Sequence, residues 1–229
     1  MTPATAAAIA ALEAEYSGRM REAAAAATAR RDAAHLDAPY RVAGLPVRPM
    51  TLVDYLALIA AGNAYVTAQS APTAERERAA FWSLHLAQAL WLLSPEFAPG
   101  AAAARDAFLV RLGALPQDRV SADWGDYLHE MFADAPGSPT EETADPPPDP
   151  LGVSFAAHWV SALATQYHWS RAEIRAVPLP ELFQYLRLVA AAEAGRTGRP
   201  YVYLDRNQGR LAAEKLARIN QLLAPPAAA

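Results

Sequence analysis

The feature that most narrows what this chain can fold into is a pair of prolines two residues apart, Pro178 and Pro180, within 169–187, WSRAEIRAVPLPELFQYLR. Proline disfavours helical geometry in the residue before it, so a helix arriving here must fail near Val177. A proline in a first helical turn loses no hydrogen bond, so Pro180 can open a second helix. Upstream, Ser170 followed by Glu173 is a capping box: the hydroxyl accepts from the Glu173 amide while the carboxylate reaches back. The spacing predicts two helices joined by a stiff elbow, with Val177 and Leu179 as buried pegs. Leu182, Tyr185, Leu186 and Val189 share one face of the second helix, and Gly195 is placed to cap it.

The rest of the chain reads as helices around that elbow. Residues 1–35 are rich in alanine, the best helix former. Ile9, Leu12, Tyr16 and Met20 recur at three- and four-residue steps and then stop. That leader helix is therefore exposed, frayed or waiting for a partner. Residues 40–49 form a connector with a short extended segment around Gly44. Thr51 and Asp54 repeat the capping-box pattern and open a helix with Leu52, Tyr55, Leu56, Ile59 and Val66 on one face, weakened or bent at Gly62-Asn63. Thr73 caps the next helix, whose Phe81, Trp82, Leu84, Leu86, Leu90, Trp91, Leu92 and Leu93 leave no polar face. A helix apolar all round is a buried one, so this is the expected centre of an N-terminal bundle. Ser94-Pro95 ends it. A helix at 100–113 presents Phe108, Leu109 and Leu112. Ser121 caps another, with Trp124, Tyr127, Leu128, Met131 and Phe132.

Residues 134–150, DAPGSPTEETADPPPDP, are proline-rich and acidic, and lack the large apolar side chains that repay ordering. They read as a semi-rigid tether or loop. Beyond it, a helix at 153–168 carries Ala156, Trp159, Val160, Leu163 and Tyr167. After the elbow and a basic, glycine-punctuated loop at 195–210, a closing helix presents Ala212, Leu216, Ile219 and Leu223, stopped by Pro225-Pro226. The expected fold is all-α: a multi-helix bundle in two parts. The parts are a leader helix at 1–38, a bundle at 39–133, a linker at 134–150 and a C-terminal helical part at 151–229.

With 229 residues the chain needs no metal or disulfide staple. It has no cysteine, which excludes thiol catalysis and cysteine-ligated zinc. The net charge of −4 points to neither nucleic acid nor an anionic membrane. The longest apolar run, 86–93, is far short of the ~20 residues that span a bilayer. The N-terminus lacks a secretory signal pattern. These features predict a soluble, cytoplasmic protein. Basic residues are almost all arginine; Lys215 is the one lysine among 20.

No catalytic signature emerges. His35, His85, His129, His158 and His168 include no pair four residues apart, and His129-Glu130 lacks the second histidine of a zinc protease. His85 reads as a core histidine. Ser94, Ser121 and Ser170 sit at expected helix ends, and Asp54, Glu75, Glu173 and Glu181 sit in first turns, where they complement the helix dipole. Neither an enzyme, a metal site nor a cofactor is expected. Arg196, Arg199, Arg206 and Arg210, interleaved with Tyr201 and Tyr203, could grip an anion or single-stranded nucleic acid. The simpler reading of that stretch is a solvated loop. Trp159, Tyr167, Trp169, Ile174, Leu179, Phe183 and Tyr185 are either core or the lining of a groove for a protein partner, where aromatics and arginine dominate.

Tyr167, Trp169, Ser170, Glu173, Ile174, Pro178, Leu179, Leu182, Phe183 and Tyr185 form a pattern that resembles the tail assembly chaperones of long-tailed bacteriophages. Residues 40–58, with Gly44, Pro49, Thr51-Leu52 and Tyr55, are similar to the opening of proteins from the same tail modules. The resemblance implies a non-enzymatic helper in the bacterial host cytoplasm. Such a helper binds the tape measure protein, recruits tail tube subunits, and is absent from the finished particle. The length, the alanine-rich leader and the acidic tether depart from that pattern. The alternatives are a structural or adaptor component of a particle, or a helical regulator using the Arg196–Arg210 region on nucleic acid. Self-association is left open.

Overall fold

The computed structural model describes residues 2–36, 40–67, 75–135, 154–198, 204 and 206–224. Among them the chain forms nine helices and one two-stranded antiparallel sheet. In chain order the elements are α1 (Pro3–Ala34), β1 (Tyr40–Val42), β2 (Leu45–Val47), α2 (Leu52–Ala60), α3 (Glu75–Leu93), α4 (Ala102–Gly113) and α5 (Gln117–Phe132). There follow α6 (Phe155–Tyr167), α7 (Arg171–Ala176), α8 (Leu179–Thr197) and α9 (Arg206–Leu223). The fold is the expected multi-helix one.

One buried cluster runs through helices on both sides of the 136–153 segment. It joins Leu58, Leu90, Trp124 and Met131 to Leu163, Ile174, Leu182 and Phe183. Helices α2 and α7 touch, as do α5 and α8, so the two expected parts share a core. Asp134, expected to begin an exposed acidic tether, is instead buried. It lies against Arg31 at 2.9 Å and Arg30 and Arg187 at 3.4 Å, where three cations offset its loss of hydration. The contact joins α1, α8 and the end of α5.

The leader helix finds its partner in the closing helix. Leu12 and Tyr16 of α1 are buried with Leu211 of α9, and Met20 and Ile219 pack alongside. The guanidinium groups of Arg19 and Arg218 lie 4.7 and 6.0 Å from the Tyr16 ring centre, within cation–π range.

Several helix limits differ from the sequence reading. Helix α3 supplies Leu86, Ala89, Leu90, Trp91 and Leu93 to the main core, but it is not buried all round: Leu84 is 67% exposed. Ser83, His85 and Gln88 interrupt its apolar surface. Helix α5 starts at Gln117, four residues before Ser121. Pro116 presets the entry at φ −59°, and the Gln117 side chain donates to the carbonyls of Leu112 and Leu115. Helix α2 ends rather than bends before Gly62, so Val66 lies outside it. Asn63, fully buried, takes over: its amide donates to the His85 carbonyl and Gln88 Oε1, tying the end of α2 to α3. Helix α8 passes through Gly195 and is capped at Gly198, which adopts a left-handed φ of 67°. The Thr73 cap lies outside the described residues.

The extended segment around Gly44 is a hairpin with Tyr40 opposite Val47. Both residues of its two-residue turn, Ala43 and Gly44, have positive φ, as type I′ turns require. The strain at Ala43 is offset by its amide donating to Asp123 Oδ2 at 2.7 Å, which seats the hairpin on α5.

After the hairpin, residues 48–54 form a strap across the core. Arg48 donates to both Asp54 oxygens, Thr51 donates to Asp54 through its amide and hydroxyl, and the Arg48 amide donates to the Leu93 carbonyl at 2.9 Å. Tyr127 donates its phenol to the Arg48 carbonyl at 3.0 Å, and burial holds that phenol well above its ordinary pKa. Asp54 is 4% exposed and Arg48 35%. Asp54→Ala should destabilise the protein by about 2–4 kcal/mol, less than breaking a wholly buried pair because Arg48 keeps partial hydration. Urea unfolding checks this through a lowered midpoint at unchanged slope.

Candidate functional site: a groove beside the proline elbow

The elbow forms as its sequence dictates. The Ser170 hydroxyl accepts from the Glu173 amide at 3.2 Å, and Glu173 Oε2 accepts from the Ser170 amide at 2.7 Å. Hydrogen bonds to the carboxylate from the Ser170 side chain and then from the Ser170 amide hold the Glu173 carboxyl below the ordinary glutamate pKa. Helix α7 stops at Ala176; Val177 is extended with ψ 133°, as the following proline demands. Helix α8 begins at Leu179 with Pro180 in its first turn. The strap holds the turn in place: Leu179 donates its amide to the Met50 carbonyl at 2.8 Å, and Thr51 forms an antiparallel bridge with Pro178.

The seven residues expected to meet a partner separate into three groups. Ile174, Leu179 and Phe183 are completely buried. They are interior residues and cannot touch a partner, which corrects the expectation for them. At positions spaced by four on α8, Leu179 and Phe183 face the core, and the strap closes over Leu179. Val177, the other expected peg, is only partly buried. Tyr167, Trp169 and Tyr185 form a half-buried aromatic trio, with the Tyr185 ring edge-on to Trp169 at 4.7 Å and to Tyr167 at 5.4 Å. Trp159 belongs elsewhere, between Phe183 at 5.4 Å and the 39% exposed Phe155 at 4.8 Å.

None of the trio lines the apolar furrow beside the elbow. A groove of about 450 Å³ runs between α2, α6 and α7. Its α6 wall is Ala156, Ala157, Val160, Ser161 and Ala164, a stripe of small side chains that lets the opposite wall stand back. Leu56 of α2 forms that opposite wall, backed by the fully buried Leu52. Arg171 and Arg175 of α7 supply the cationic part of the lining. Sequence reading placed Leu52, Leu56, Ala156 and Val160 on apolar faces but missed the groove. The available signal was the run of alanine and serine at helical spacing on α6, with two arginines four apart on α7.

Only part of the basic stretch is described. Arg199, Tyr201 and Tyr203 lie outside the described residues, as does the side chain of Arg206. Arg196 is exposed and paired with Glu193, and Arg210 is exposed. His129 and His158 are exposed on α5 and α6, and His168 caps α6 in a left-handed conformation. His85 is half-buried with its ring edge-on to Phe81 at 4.4 Å. Among the described residues no group of three or more histidines or carboxylates could hold a metal ion, and no helix is long and apolar enough to cross a membrane. The buried carboxylates, Asp54 and Asp134, are engaged by arginines.

No protein-family model, curated protein or solved structure matches this chain.

Two measurements check the elbow. Phe183→Ala should cost about 3–5 kcal/mol, the range for emptying an aromatic site in a core, whereas a surface docking role would leave stability nearly unchanged. Chemical unfolding distinguishes the two. Because the folded Glu173 pKa is lowered, its contribution is present above the ordinary glutamate value of about 4.3 and is lost as pH falls through the folded value. The stability difference between wild type and Glu173→Gln should therefore be present at neutral pH and vanish in acid, as followed by thermal unfolding across pH.

Proposed function

We propose that this protein is a non-enzymatic binding helper that takes an amphipathic helix of a protein partner into the groove between α2, α6 and α7. The observation that carries the reading is the groove itself: an apolar trough with a small-residue wall, beside a turn held rigid by prolines and by the strap. Amphipathic helices dock into such grooves through anchors at three- and four-residue spacing. Each Leu or Phe anchor contributes about 1.5–3 kcal/mol on burial. Association alone costs at least ~4 kcal/mol, so two or three anchors give a weak, reversible complex. That suits a helper that must release its client.

The client class comes from the resemblance of residues 167–185 to phage tail assembly chaperones. On that basis the protein keeps the tape measure protein soluble in the host cytoplasm and brings it to tail tube subunits. The groove extends the resemblance with a mechanism, since a long coiled-coil client is made of amphipathic helices that need cover before assembly.

Ala157 is exposed on α6 and lines the groove, so Ala157→Trp fills the trough without disturbing the core. When co-expressed with a tape measure protein, the wild-type chain should raise the soluble fraction of the client and Ala157→Trp should not. Both chains should show the same helical circular dichroism. A client equally soluble with either chain, or with neither, would reject the reading.

A further inference from the structure

We infer that the helix taken into this groove carries carboxylates beside its apolar stripe, so that the site selects an acidic amphipathic helix. The inference rests on the reading above that the groove binds a helix, and adds the chemistry of the occupant. Its basis is the charge of the lining. Ten residues line the groove; two are cationic, none is acidic, and both cations come from α7. Neither Arg171 nor Arg175 has an ion-pair or hydrogen-bond partner among the described residues, whereas Arg19, Arg31, Arg48, Arg111 and Arg187 all meet carboxylates. The Nε of Arg175 is buried, so a docked carboxylate would meet its terminal nitrogens.

The nearby acids are already committed. Glu173, between the two arginines in sequence, holds the Ser170 amide. Asp54 lines the adjoining hollow that also contains Arg175, but its oxygens are taken by Arg48 and Thr51. Helix stability does not explain Arg171, because a cation in the first turn opposes the helix dipole. Spaced four residues apart, the two guanidinium groups fall on one side of α7, matching carboxylates one turn apart on a docked helix. Planar, multiply donating guanidinium groups suit carboxylates better than a lysine would.

The test uses the full chain and three labelled, designed amphipathic peptides of about 18 residues, long enough to hold a helix. They share one leucine stripe and carry Glu, Gln or Lys at its flanks. Fluorescence anisotropy at low salt should show the Glu peptide binding about tenfold more tightly than the Gln peptide, the combined effect of two partly screened pairs. The advantage should shrink as salt rises. Arg171→Glu/Arg175→Glu should reverse the order, favouring the Lys peptide. Arg171→Glu alone, at an exposed position, should remove part of the preference if the double variant does not fold. Equal binding of all three peptides, abolished by Ala157→Trp, would overturn the acidic selection while leaving the groove as a helix site. Failure of every peptide to bind, or binding indifferent to Ala157→Trp, would overturn the groove reading as well.

Discussion

The bidentate contact between Arg48 and Asp54 is the interaction on which the arrangement of the other elements depends. Asp54 is almost fully buried, and a buried carboxylate is tolerable only when its lone pairs are met. Arg48 and Thr51 meet them, and in doing so bend residues 48–54 into a fixed strap. The strap is then gripped from three directions: by the Leu93 carbonyl at the end of α3, by the Tyr127 phenol of α5, and by the Leu179 amide at the elbow. An ion pair between residues six apart in sequence thereby sets where the C-terminal elbow sits against the N-terminal helices.

The groove follows from that registration. The strap leads directly into α2, which provides Leu52 and Leu56, while the elbow it holds carries α7 with its two arginines. The third wall, on α6, faces α2 across a gap that exists because alanine and serine occupy the facing positions. The bulky aromatics turn elsewhere, into the core at Phe183 or into the half-buried trio around Tyr185. An apolar wall without large side chains is suited to receiving another molecule's anchors, and a rigid frame lowers the entropy lost when they enter.

What was legible in the sequence was the chemistry that acts over three or four residues. Both capping boxes, at Thr51 and at Ser170, formed with the partners their spacing implied, and the prolines broke the helix where expected. What depended on distant partners was not legible. Helix α3 reads as buried all round in the sequence, yet Leu84 is 67% exposed. The leader helix looked unpartnered because Leu211 lies nearly two hundred residues from Tyr16. Gly195 and Gly198 were equally good caps by composition, and only the backbone chose between them. The groove between α2, α6 and α7 was not legible either, because the small residues on its α6 wall leave no signature in hydropathy.

The central claim is that a client helix lies along α6 in the groove rather than elsewhere on the surface. Site-specific photo-crosslinking in cells making a tape measure protein tests it most directly, with the crosslinker placed at Ser161 in the groove or at Val110 on α4, which is 74% exposed. Covalent adducts to the client from Ser161 and none from Val110 are the result this account predicts. Adducts from Val110 alone, or equal yields from both positions, would contradict it.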